Sequence, residues 1–92
     1  MDILEAVRMA LRITTRAFDP EINDLIIAAI ADMERAGIVN KNTEDPLVRR
    51  AVVTYCRMHF GKPDDFDRLK KSYDEQKAQM SMATGYTNWG VN

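Results

Sequence analysis

Two Asp-Pro dipeptides constrain the fold of this chain more than any other feature, because apolar residues at helical spacing follow each of them. The dipeptide at 19–20 precedes a run that stops at Gly37, and the one at 45–46 precedes a run that stops at Gly61. An aspartate before a helix accepts hydrogen bonds from the free N–H groups of the first turn, and proline has no N–H to leave unpaired there. Glycine favours the left-handed cap that ends a helix. The pattern therefore predicts two central helices.

Apolar side chains lie on one broad face of each of these helices. The residues expected to form the core are Ile22, Leu25, Ile26, Ile30, Val48, Val52 and Tyr55. Ile27 falls off this stripe, and with neighbouring alanines it makes the first central helix apolar over more of its circumference than a monomer requires. We expect this helix to be covered on two sides.

Two further helices are predicted outside the central pair. Residues 2–13 carry apolar side chains at spacings of three and four, which is typical of a short amphipathic helix. A last helix opens at 64–65 and carries a narrow apolar stripe that fades from about Ser81. The residues of this stripe are Phe66, Leu69, Tyr73 and Met80.

The expected fold class is all-α, a small bundle of three to four short helices with an irregular C-terminal tail. No stretch alternates apolar and polar residues for long enough to indicate a strand. At 92 residues the chain has room for one core. We expect a helical domain at 1–82 and a tail at 83–92 that contacts a partner.

Charge and cysteine content exclude several classes of function. Thirteen Lys and Arg against fourteen Asp and Glu give a net charge of -1, so the bulk attraction that drives non-specific nucleic-acid binding is missing. The single cysteine, Cys56, cannot form an intramolecular disulfide and points to a reducing cytoplasm. One Cys and one His are too few for a structural zinc site. We expect no metal, no cofactor, no signal peptide and no membrane partner.

Residues that could carry chemistry have simpler interpretations. Cys56 and His59 lie three apart on a predicted helix, as a nucleophile and its base would, but a buried Cys56 and a helix-end His59 are favoured. The acidic residues at 64–67 are interpreted as a solvated helix start rather than a cation site. The glycines are too far apart for a phosphate loop. An enzyme is not expected.

Two sets of residues are candidates for binding. Arg49, Arg50 and Arg57 could contact a phosphate backbone, since 50 and 57 lie two turns apart on one helix face. They are the basis of a rival hypothesis, a small helical DNA-binding or regulatory module. Tyr86 and Trp89 lie in a tail too poor in apolar residues to form its own core, so they either dock on another chain or fold back onto their own helices.

Four segments, in order, resemble the small helical head-tail connector, or adaptor, proteins of long-tailed bacteriophages and prophages. They are LRIT (11–14), DPEINDLIIAAIADMERAGI (19–38), DPLVRRAVVTYCRMHFG (45–61) and DRLKKSYDEQKAQMSMATGYT (67–87). The last segment, a helix running into an ATGYT end, is the most similar. The connection between the second and third helices is short, and residues 88–92 do not match the family pattern.

The resemblance implies a non-enzymatic protein that forms a ring, commonly of twelve copies, beneath the portal at the filled head. Such a ring extends the DNA channel, lets DNA pass without sequence-specific binding, and offers a docking surface to the downstream neck, stopper or tail protein. The expected location is the head-tail junction of the virion, and the host cytoplasm during assembly. The residues expected to contact the portal or an adjoining subunit are Tyr73, Met80, Tyr86, Trp89 and Ile27.

Overall fold

The computed structural model describes residues 1–83 and 85–87, and within these ranges the chain forms four α-helices. They are α1 (Ile3–Ala10), α2 (Asp19–Arg35), α3 (Pro46–His59) and α4 (Phe66–Met82). The only β-type pairing in the described ranges is an isolated antiparallel bridge between Ile38 and Thr87. The predicted all-α fold class is confirmed. None of the described helices is both long and apolar enough to cross a lipid bilayer.

Helix α3 is the centre of the bundle, because α1, α2 and α4 all pack against it. Its buried residues extend around most of its circumference. They are Val48, Ala51, Val52, Thr54, Cys56 and Met58. The hydroxyl of Thr54 is satisfied in this setting, since it donates a hydrogen bond to the carbonyl of Arg50 at 2.9 Å. Covering α3 is thus what brings the other three helices together.

The core predicted from the central helices is confirmed for its innermost residues, whereas others of the predicted set are partly exposed. The predicted residues that are buried are Ile22, Ile26, Val48 and Val52. Those that pack against the core while partly exposed are Leu25, Ile30 and Tyr55. Helix α4 completes the core with three residues of its narrow stripe, Leu69, Tyr73 and Met80.

The end of α2 shows why Gly37 is required there. Gly37 has a φ of 90°, in the left-handed region that favours glycine. Its N–H donates to the carbonyl of Glu34 at 2.9 Å, and the N–H of Ile38 donates to the carbonyl of Met33 at 2.9 Å. These two bonds form a Schellman motif, and the predicted left-handed cap is confirmed. Ile38 is thereby turned into the core.

Helix α1 ends at Ala10, earlier than the predicted limit at residue 13. Arg12 takes up a φ of 62°, and the N–H of Ile13 donates to the carbonyl of Arg8 at 2.9 Å. This is the Schellman geometry seen at the end of α2, with Arg12 in the position that Gly37 has there. The left-handed backbone conformation costs a non-glycine residue about 1 kcal/mol. No glycine marks this end of the helix, so its position could not be predicted from a local residue pattern.

The two Asp-Pro dipeptides begin their helices differently. Asp45 behaves as predicted, because its carboxylate accepts from two amide N–H groups of the first turn of α3 at 2.9 and 3.3 Å. The same prediction for Asp19 is wrong. Asp19 is the first helical residue of α2, and its carboxylate lies 3.0 Å from the guanidinium of Arg8. Packing of α1 against α2 supplies this partly buried charge partner.

Burial at the end of α4 leads to a first prediction. Met80 is fully buried, whereas Met82 is 88% exposed, two residues further along the same helix. Met80→Ala leaves a cavity in the core and should lower the free energy of unfolding by about 2–5 kcal/mol. Met82→Ala should change it by less than about 0.5 kcal/mol. Urea denaturation followed by circular dichroism measures both, and equal effects would contradict this description of the core.

Candidate interaction surfaces

The described part of the tail folds back onto the connection between α2 and α3. The N–H of Val39 donates to the carbonyl of Tyr86 at 2.7 Å, and the side-chain amide of Asn40 lies 3.4 Å from the carbonyl of Gly85. Thr87 pairs with Ile38 in the isolated bridge. Of the two alternatives for the tail, residues 85–87 follow the one in which it docks on its own chain.

The phenol of Tyr86 fixes this docking to the start of α3. Its hydroxyl donates to the Asp45 carboxylate, with oxygen distances of 2.8 and 2.7 Å. This hydrogen bond, together with those from the α3 backbone, lowers the pKa of Asp45 despite desolvation. The same bond raises the pKa of Tyr86. One carboxylate therefore caps α3 and holds the tail.

Loss of the Tyr86 hydroxyl should weaken the docking of the tail locally. Tyr86→Phe removes the bond to Asp45, so the backbone pairing beside it opens more often, and the Val39 amide should exchange on the order of fivefold faster with solvent. Hydrogen-deuterium exchange measures this rate. Tyr55→Phe is the control, because the Tyr55 hydroxyl has no hydrogen bond among the described residues. Unchanged exchange at Val39 in Tyr86→Phe would contradict the role of this bond.

A polar cluster around Asp32 ties α2 to α4. Asp32 accepts from the Tyr73 hydroxyl at 2.6 Å and from Lys77 at 3.1 Å, and Arg35 lies 3.3 Å away on the same helix. The Lys77 ammonium also sits 4.5 Å above the centre of the Tyr73 ring. Desolvation alone would raise the pKa of Asp32, but the bonds from Tyr73 and Lys77 outweigh it and lower the pKa.

The expectation that Tyr73 and Met80 face another chain is therefore wrong. Tyr73 is 3% exposed and Met80 is fully buried, both within the core of this chain. The apolar stripe of α4 is narrow, and packing against α3 uses it. Burial and the Asp32 carboxylate raise the pKa of Tyr73, so its phenol remains protonated and continues to donate.

The Asp32 cluster predicts a pH-dependent stability. Since the folded state lowers the pKa of Asp32, the cluster stabilises the fold above the ordinary value of 3.8 and loses this effect as pH falls through the lower folded pKa. Tyr73→Phe should cost about 1 kcal/mol near neutral pH, and its difference from wild type should shrink below about pH 4.

Urea denaturation of both proteins across this pH range tests the prediction. Tyr55→Phe is again the matched control, as a tyrosine of the same cluster of rings, 5.5 Å from the Tyr73 ring centre. A difference between wild type and Tyr73→Phe that is constant with pH would show that Asp32 is not responsible.

A groove of about 380 Å³ lies between α3 and α4, with Ala6 of α1 at its wall. We call it the arginine groove, because Arg50 and Arg57 of α3 and Arg68 of α4 line it. Val53 and the largely buried Leu69 supply apolar surface between the guanidinium groups. Arg68 pairs with Asp65, whereas Arg50 and Arg57 have no ion pair among the described residues. The groove therefore combines unpaired positive charge with an apolar floor.

Arg49 differs from the other two arginines that the sequence grouped with it. Its guanidinium donates to the carbonyls of Thr43 at 3.0 Å and Met1 at 2.6 Å, and it pairs with Glu44 at 3.0 Å. It thus holds the start of α3 to the N-terminal segment. Although it borders the groove, its Nε and one terminal nitrogen already donate within the chain.

Gln76 was not singled out from the sequence, yet it lines the same groove. Its side-chain oxygen is buried and has no hydrogen-bond partner within the described part of the chain. A buried acceptor without a donor is unfavourable, so this oxygen favours an occupant that brings an N–H or O–H group.

The outer face of α2 presents a second candidate surface, which we call the α2 ridge. Its residues share one stripe of the helix and are Asn23, Asp24, Ile27, Ala31 and Glu34. Ile27 is 66% exposed at its centre. Within this chain α1 and α3 pack against α2, and they leave Ile27 uncovered. Two neighbouring helices thus pack against α2, and the chain's own described residues leave the face that carries Ile27 open.

Cys56 and His59 do not form a nucleophile and base pair. Cys56 is fully buried, and desolvation raises the pKa of its thiol to about 12, so it stays protonated near neutral pH. The interpretation of Cys56 as a core residue is confirmed. The His59 ring packs against Tyr55, at 4.4 Å between centres, and Phe66, at 6.2 Å. No group of three potential metal ligands occurs in residues 1–83 and 85–87.

The sequence-predicted contact residues thus divide into three groups. Ile27, Arg50 and Arg57 lie on accessible surfaces, and Tyr86 is docked on its own chain. Tyr73, Met80 and Arg49 are committed to internal contacts, as described above. Trp89 lies outside the described residues.

The arginine groove and the α2 ridge combine charged and apolar side chains, as surfaces that bind other proteins do. Comparison with family models agrees with this class: the model described as phage connector protein matches residues 3–87. The chain therefore belongs to the phage head-tail connector family. Comparisons with curated proteins and with solved structures gave no significant match.

Proposed function

We propose that this chain is a non-enzymatic structural adaptor that forms a ring beneath the phage portal. The ring continues the DNA channel and offers the docking surface for the next neck or tail protein. The observation that carries this proposal is the family match across residues 3–87, which extends through all four helices and the docked start of the tail. The portal and tail partners and the place at the head-tail junction follow from the family.

The surface chemistry supports a role in assembly. Ile27 is a large apolar side chain left in solvent on α2, and the arginine groove holds guanidinium groups without ion partners. Exposed apolar residues and arginines are enriched where proteins bind one another. A net charge of -1 also suits a channel protein, because a strongly basic lining would retard passing DNA.

The tail at 83–92 is proposed to contact the portal, with Tyr86 as its fixed point. Since Tyr86 is bound to Asp45, the described part of the tail is held at a defined place beside the start of α3. Trp89 follows three residues later, and a large aromatic side chain near an anchor is typical of a binding hot spot. Tyr86 thus acts as an internal support rather than as a direct contact.

Two truncations test this role against the portal ring of the phage or prophage that encodes the chain. A chain ending after Thr87 keeps the Tyr86 anchor and loses Trp89, and it should bind the portal roughly 30-fold more weakly, as expected for loss of one hot spot. A chain ending after Ala83 loses both and should bind no better. Sedimentation of portal with labelled chain measures the affinities.

The controls separate the tail from the adaptor role as a whole. Met82→Ala, which alters an exposed side chain just before the tail, should bind the portal like wild type. Undiminished binding by the chain ending after Ala83 would remove the tail from the interface. Failure of the full chain to bind the portal would overturn the adaptor function itself.

A further inference from the structure

We propose that the arginine groove of one subunit receives the α2 ridge of a second copy of this chain. The inference rests on the adaptor function proposed above, because it names the contact between neighbouring subunits of the ring. Three properties of the two surfaces match, and each comes from different residues.

The first match is in charge. Arg50 and Arg57 line the groove without an ion pair among the described residues, and Asp24 on the ridge likewise has none. Glu34, further along the ridge, pairs with Lys41 at 3.2 Å and keeps nearly half of its side chain exposed. Guanidinium groups recognise carboxylates through paired hydrogen bonds. The ridge carries the carboxylates that the groove lacks.

The second match is in apolar surface. Val53 and Leu69 form an apolar floor between the arginines, and Ile27 stands exposed at the centre of the ridge. Seating Ile27 in the groove removes its side chain and the exposed part of Val53 from water, which is favourable. The small side chain of Ala31, one turn along the ridge, allows the two helices to approach closely.

The third match is a hydrogen bond. Gln76 lines the groove, and its buried side-chain oxygen has no donor within the described residues. Asn23 is exposed on the ridge, one turn before Ile27, and its side-chain amide can donate. An incoming ridge therefore supplies the one type of group that this oxygen requires.

The arrangement of the two surfaces determines the kind of assembly. The ridge lies on α2, whereas the groove lies between α3 and α4, and they share no residue. Contact between two different surfaces of identical chains is head-to-tail, and such contacts close into a ring when the rotation between subunits permits it. In an open head-to-tail chain only the two end subunits keep a free surface, and ring closure pairs these two.

A phosphate backbone is the less suitable occupant of this groove. Phosphates would pair with Arg50 and Arg57 but leave the partly exposed Val53 uncovered. The net charge of -1 also provides no long-range attraction for DNA. A protein ridge with both carboxylate and apolar groups matches the whole groove.

Two variants, each lacking one surface, test the contact. Arg50→Glu with Arg57→Glu reverses the charge of the groove, and Ile27→Lys removes the centre of the ridge. Sedimentation velocity up to about 1 mM should show self-association of the wild type and monomers for each variant alone. Mixed together, the variants should form pairs and nothing larger, because one keeps its groove and the other keeps its ridge.

Matched controls exclude effects of charge and of misfolding. Lys62→Glu with Lys71→Glu makes the same change in net charge at exposed positions outside the groove and ridge, and Met82→Lys is the control for Ile27→Lys. Both should self-associate like wild type. Circular dichroism and thermal melts confirm that every variant is folded.

Several outcomes would overturn the proposal. They are a wild type that stays monomeric at about 1 mM, variants that associate like wild type, and a folded mixture that forms no pairs. Salt-dependent binding of duplex DNA that is lost in the groove variant, with self-association unchanged, would assign the groove to phosphates instead. Portal binding by a chain that stays monomeric would support the adaptor function and refute this contact. Self-association of a chain that does not bind the portal would support this contact and refute the adaptor function.

Discussion

The need to cover α3 determines the arrangement of this small protein. Its buried side chains extend around so much of the helix that one neighbour cannot shield them, and α1, α2 and α4 all pack against it. A chain of 92 residues has little other apolar surface to bury. Most of the large apolar side chains of α4 are consequently used inside the molecule, which leaves few for partners.

Asp45 links this core to the tail. Its carboxylate accepts two amide bonds at the start of α3 and also the phenol of Tyr86. The backbone of the tail then pairs with Val39, just after the Ile38 side chain that closes the core beyond α2. Because the same short connection holds the helix start and residues 85–87, the position of this described part of the tail depends on the position of α3.

The sequence predicted the helices and the centre of the core, because both depend on local spacing and on residues such as Gly37 that have a specific backbone role. Predictions from the sequence were wrong where a side chain binds a residue that is distant in the chain. Asp19 and Asp45 each precede a proline at the start of a helix. The Asp19 carboxylate nevertheless pairs with Arg8 of α1, whereas the Asp45 carboxylate caps α3. Arg12, which ends α1 in a conformation usual for glycine, carries no local signal either.

The residues of the candidate surfaces could likewise be predicted only where local helix spacing determines their position. Ile27 and the pair Arg50 and Arg57 were found because helix periodicity places them off the buried faces. The interior position of Tyr73 was not, since its phenol is bound by Asp32, 41 residues away in the chain. Spacing along a helix identifies which side chains share a face, but not which face a neighbouring helix will cover.

Burial of Tyr73 and Met80 alters what kind of connector surface this chain can offer. With the stripe of α4 used internally, the two candidate surfaces consist of the exposed Ile27 among carboxylates on α2, and of arginines beside a small apolar patch on α3 and α4. Surfaces of this mixed type disfavour non-specific association. Each apolar patch is bordered by charged side chains, and a wrong partner would bury these without an opposite charge. Contacts of this type favour the correct neighbour over other proteins, which suits a connector subunit.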